Sequence, residues 1–279
     1  MSRNQIIVIS ACAVVCLGIY LFADTAKPKG AGPDSGHQGA MPPQMPPQQS
    51  VEALNIEEYV SGLEAANTNA TAKQNIEKRK AAEDFAGLAE EYTKLDKPLA
   101  VAYYLVKAAQ KENTVKAYTK AGDYSAQLTQ TAPDEKAHRY LMDNVISSYE
   151  KAVELDSNQV ENKLRLAGAY IEGSQNPMQG VAILRNIVAK DSNNVDAQLM
   201  LARFGIVSGQ YDKAIARLEK VLYLQPQNTE ALLLMAQAYE DTGLKPKAIE
   251  MLERCKKTIK DADVLREIDK KIEDLKKQS

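Results

Sequence analysis

The chain has 279 residues, 44% of them apolar, with 35 lysines and arginines against 37 aspartates and glutamates. A net charge of −2 with the two signs interspersed argues against a dedicated nucleic-acid binder, which would show a clustered basic face. Three cysteines cannot build a disulfide framework.

Residues 1–4 are a short tail carrying Arg3. Residues 5–23 run from Ile6-Ile7-Val8-Ile9 through Leu21-Phe22 without a charge. About 20 apolar residues span a bilayer as a helix, so this stretch is expected to be a transmembrane signal anchor. A cleaved signal peptide shares the basic start and stays open, although neither Leu21-Phe22-Ala23 nor Asp24-Thr25-Ala26 offers a good small-x-small site. Residues 24–52 include Lys27-Pro28-Lys29-Gly30 and Met41-Pro42-Pro43-Gln44-Met45-Pro46-Pro47. Pro, Gly and Gln at this density cannot pack a core, and the segment reads as a disordered linker. Positive charge is nearly balanced across the anchor, with Arg3 before it and Lys27 and Lys29 after it. The short tail is expected inside and the remainder outside the cytoplasm, in a single-pass arrangement of the bacterial inner-membrane type with the repeats in the periplasm.

From residue 53 to 279 the pattern is helical, with no sustained alternation of the strand kind. Asn55 caps a short helix. Residues 71–95 read as one long helix with Ile76, Phe85, Leu88 and Tyr92 on its apolar side, stopped at Asp96-Lys97-Pro98. Residues 99–111 follow, and 114–130 and 134–155 make a further pair joined around Thr131-Ala132-Pro133. Degenerate repeats are placed over 82–159. Clear ones fall at 160–194, 195–228 and 229–262, since Leu201-Ala202 overlies Met235-Ala236, Ala214-Ile215 overlies Ala248-Ile249, and Leu218 overlies Leu252, all at a spacing of 34. Small residues recur where paired helices must approach: Ala167, Ala202 and Ala236 on one helix, Gly180, Ala214 and Ala248 on the other. Residues 263–277 form an amphipathic capping helix with Leu265, Ile268, Ile272 and Leu275 on one side.

These repeats resemble the tetratricopeptide repeat, a helix–turn–helix unit with the pattern W-x2-L-G-x2-Y, A-x3-F, P. The last copy reads Leu232-x2-Met235-Ala236-x2-Tyr239 and then Ala248-x3-Leu252, and the middle one closes with Leu224-Gln225-Pro226-Gln227-Asn228. Lys163, Gln198 and Leu232 stand where the family has Trp. The resemblance implies an all-α solenoid behind the anchor and linker. It also implies a groove lined by the first helix of each repeat, here Glu161, Leu164 and Ile171, then Asp196, Leu199, Arg203 and Ile206, then Glu230, Leu233, Gln237 and Glu240. The alternative reading of Leu164, Leu199 and Leu233 is that they pack the core. The carboxylate clamp of co-chaperone members is absent, its places being held by Leu164, Gly168, Met200, Glu230 and Leu234.

The sequence shows no phosphate loop, zinc-binding histidine pair or nucleophile elbow, so no catalytic residue, cofactor or metal is expected. The expected role is a non-catalytic scaffold that holds a protein segment near a membrane, as in bacterial envelope assembly or secretion. A self-associating envelope protein (a homo-oligomer) or an accessory subunit of an enzyme complex are the alternatives.

Overall fold

The computed structural model describes residues 53–66, 69–174 and 176–277. The expected tail, anchor and linker, residues 1–52, all lie outside them. Among the described residues there are thirteen helices and no strand, and no helix is long and apolar enough to cross a membrane. The chain divides into two compact units, one within Met45–Asn186 and one from Ile187 to Ser279.

The first unit starts with α1 (Ile56–Ala66) and α2 (Ala70–Ala81) and continues with α3 (Phe85–Lys94), α4 (Pro98–Glu112), α5 (Val115–Thr129), α6 (Glu135–Leu155) and α7 (Val160–Gly173). The unit boundary falls within α8 (Pro177–Lys190). Four of these starts are capped by a side chain. The side chains of Asn69, Asp84, Thr114 and Asp134 accept hydrogen bonds from first-turn N–H groups of α2, α3, α5 and α6, which satisfies donors that a helix cannot satisfy internally. Val60, Ile76, Leu88, Tyr92, Val101 and Tyr104 form the main core, with Tyr92 and Tyr104 stacked at 5.3 Å between centroids.

One expectation needs correction. The long helix over 71–95 is two helices, broken at residues 82–84. Glu83 adopts a left-handed conformation at φ 49°. Asp84 then restarts the chain, accepting from the Gly87 N–H at 2.9 Å and pairing with Arg79 at 2.6 Å. The break carries neither Gly nor Pro, so its composition gave no warning.

The second unit contains α9 (Val195–Val207) and α10 (Tyr211–Leu224), α11 (Thr229–Asp241) and α12 (Lys245–Lys256), and α13 (Ala262–Lys277). Asn194 and Asn228, one period apart, cap α9 and α11 in the same way. Gly209 and Gly243 take positive φ at the turns inside the two pairs, where a residue without Cβ meets no penalty. Ala202, Ala214, Ala236 and Ala248 are fully buried. A Cβ built on Gly205 would lie 3.2 Å from the Cβ of Ala214, so α9 and α10 meet through small residues. Leu218, Val221, Leu232, Met235 and Leu252 fill the space around these crossings. On α13, Ile268, Ile272 and Leu275 point into the same cluster, while Arg266, Asp269, Lys270 and Glu273 are exposed.

Candidate functional site

The first helices of the pairs in the second unit, α9 and α11, carry most of the expected lining. Their apolar members are not open to solvent. Leu199, Ile206 and Leu233 are 6%, 4% and 2% exposed and belong to one core cluster. Leu164 on α7, in the first unit, is also buried. The groove assignment is corrected for these four; for Leu199, Ile206 and Leu233 the reason is that α9 and α11 pack directly on one another. A side chain on the facing stripe of each helix is therefore clamped between neighbours rather than held above them. Val207, at the end of α9, remains 81% exposed.

The polar members form a different pattern. Arg203 of α9 pairs with Glu230 of α11, and Glu240 of α11 pairs with Lys271 of α13 at 2.8 Å. Successive helices are thus tied across the face by ion pairs of opposite polarity. Asp196 is exposed and Gln237 half-buried beside them. The Asp241 carboxyl is lifted above its ordinary range, first by burial and then by Glu240, against the opposing pull of Lys271. Counting Asp196, Glu230, Glu240 and Asp241 against Arg203 and Lys271, the face is acidic.

The first unit presents a second face between α5 and α7. It is lined by Val115, Lys116, Thr119, Lys120, Asp123, Tyr124 and Gln127 on α5 and by Gln159, Glu161, Asn162 and Arg165 at the start of α7. Arg165 donates to both oxygens of Asp123, at 3.1 and 3.2 Å, and to Glu161 at 3.1 Å. The Tyr149 hydroxyl donates to Asp123 at 2.7 Å, and burial together with that carboxylate raises the phenol's pKa. Asn162 is 2% exposed. It accepts from Thr119 at 3.1 Å and donates to Gln159 at 2.9 Å.

Of the expected lining, Glu161 belongs to this face, and Ile171 lies half-buried further along α7. The α5 residues were not anticipated. Two signals in the sequence point to them. Lys116 and Lys120 are like charges one helical turn apart, and Asn162 stands at the place filled by Ala197 and Ala231 in the later repeats. Among the described residues, no group of His, Cys, Asp and Glu is placed to hold a metal ion.

Comparison with known families bears on the repeating part. Residues 173–222 and 206–266 match the Tetratricopeptide repeat. The tetratricopeptide match therefore runs from the end of α7 into α13 and takes in both helix pairs of the second unit. No curated protein matches the chain. Among solved structures, that of MamA is 21% identical, covering 71% of this chain and 92% of that one at a TM-score of 0.46. That of YrrB, a TPR protein with an unusual peptide-binding site, is 17% identical, covering 73% and 100% at 0.47. At these scores neither likeness bears on the site.

Proposed function

We propose that the protein is a non-catalytic scaffold that holds a segment of a partner protein on the first-helix face of its tetratricopeptide repeats. The observation that carries this reading is the repeat match over residues 173–266. It falls on helix pairs whose interiors are filled by small and apolar residues, leaving a polar face for recognition. Such units recognise extended or helical segments by shape and a few anchors. The anchors here are Asp196, Gln237 and Val207, with the Arg203–Glu230 and Glu240–Lys271 pairs holding the platform. An acidic face selects a neutral or basic segment. The uncharged stretch at residues 5–23 supports tethering to a membrane through an N-terminal anchor, with the repeats on the periplasmic side.

A photocrosslinker placed at Gln237 in the full-length protein in its own cells tests the face. It should trap the partner, whereas one at Tyr223, exposed on α10, should not. Asp196→Arg combined with Gln237→Arg should abolish capture while circular dichroism shows the helical fold retained. Trapping from Tyr223 but not Gln237 would move the site to the other side of the repeats.

A further inference from the structure

The face between α5 and α7 differs in charge from the one just assigned. Its two carboxylates are already engaged, because Arg165 binds both Asp123 and Glu161 and Tyr149 donates to Asp123 as well. Lys116 and Lys120 are exposed, and neither makes an ion pair among the described residues. They stand at i and i+4 on α5, where like charges are mutually unfavourable. The uncompensated charge of this face is therefore cationic, set beside the exposed amides of Gln127 and Gln159 and the side chains of Val115 and Tyr124. Asn162 is held in place by bonds to Thr119 and Gln159 at a position that the later repeats fill with a buried alanine. Those bonds hold the Thr119 hydroxyl and the Gln159 side chain in place at the edge of the face.

We infer that this face is a second recognition site, for an extended peptide with acidic residues at alternate positions. The lining along α5 runs from Lys116 to Gln127, about 17 Å at the helical rise of 1.5 Å per residue. An extended strand advances about 3.3 Å per residue, so the face accepts about five residues. Lys116 and Lys120 have Cβ atoms about 6 Å apart. In a strand, that matches the roughly 6.6–7 Å between side chains at i and i+2, which share one side. The two ammonium groups meet two carboxylates of an acidic-x-acidic motif, while the exposed amides of Gln127 and Gln159 bond the peptide backbone.

The inference extends the scaffold reading to another unit of the chain but does not depend on the acidic face. Fluorescence anisotropy of the intact purified protein tests it with two labelled decapeptides of equal composition. One alternates Glu and Thr throughout. The other is Glu-Glu-Thr-Thr-Glu-Glu-Thr-Thr-Glu-Thr, which has no carboxylates at i and i+2. The alternating peptide should bind more tightly, and Lys116→Gln with Lys120→Gln should weaken it by about tenfold. Added salt should weaken it too. The double lysine variant should melt like wild type, since neither side chain makes an ion pair or hydrogen bond among the described residues. Asp196→Asn with Gln237→Ala, which adds no cationic side chain, should leave the affinity unchanged, which separates this site from the acidic face. Equal binding of the two peptides, or no effect of the lysine changes, overturns the proposal. So does equally tight binding of a ten-nucleotide thymidine oligomer, which would mark the face as a general polyanion surface.

Discussion

Ala214→Leu tests the repeat register most directly. Three added carbons, if they found room, would contribute about 0.8 kcal/mol each by leaving water, or roughly 2.4 kcal/mol of stabilisation. The structure leaves no such room. Ala214 is fully buried, and even a methyl group built on Gly205 across the α9–α10 crossing would sit 3.2 Å from its Cβ. The helices must separate or the new side chain must leave its preferred rotamer, which costs about 1–3 kcal/mol. For a cooperative unit of this size each kilocalorie moves the midpoint by about 4–8 °C. Thermal unfolding followed by circular dichroism should therefore show a drop of at least about 4 °C. Lys213→Leu, on the exposed neighbouring position, should change the midpoint little. Equal losses from both, or none from Ala214→Leu, would show that the small residues do not mark the crossing.

Leu199→Glu should destabilise the second unit by about 3 kcal/mol or more, because a carboxylate is forced into the cluster shared by α9 and α11; denaturant unfolding measures it, and a near-neutral result would restore Leu199 to an open groove. Asp84→Ala should cost about 1 kcal/mol through the lost cap of α3. The Asp84 carboxyl is held below its ordinary value of 3.8, first by the Gly87 N–H and also by Arg79, so its stabilisation is complete above that value and is lost as pH falls through the lower folded one. Asp84→Asn should flatten the acid side of the stability profile. Cys255 is fully buried, and burial pushes its thiol up to about 11; with Cys12 and Cys16 replaced by serine, a thiol reagent at neutral pH should react only as fast as the second unit opens.

The helix pairs of the second unit are the part most legible in the sequence, and the reason lies in their turns and crossings. Gly209 and Gly243 take positive φ, Asn194 and Asn228 cap, and alanines sit where helices touch, so chemistry repeats wherever geometry repeats. In the first unit the same left-handed turns are made by Glu83, Asp96 and Asn113. Asp and Asn tolerate that conformation, and the stops at Asp96-Lys97-Pro98 and before Thr114 were legible, but Glu83 carries no such mark and the break between α2 and α3 stayed hidden. The lining of the acidic face was legible only in part. Helical spacing places Leu199, Arg203 and Gln237 on one side of their helices, but it cannot tell how closely the next helix approaches. That approach, set by packing between repeats, decides that Leu199 is core while Asp196 is surface.

The charged outer side of α13 bears on what happens if the chain is shortened. Ile268, Ile272 and Leu275 complete the cluster from one flank, and water meets Arg266, Asp269, Lys270 and Glu273 on the other. Burying three such side chains contributes about 4–9 kcal/mol as an upper range. A product clipped before Ala262 would bare an adhesive flank in place of a wettable one. Such a fragment should string into soluble aggregates at concentrations where the intact chain stays dispersed.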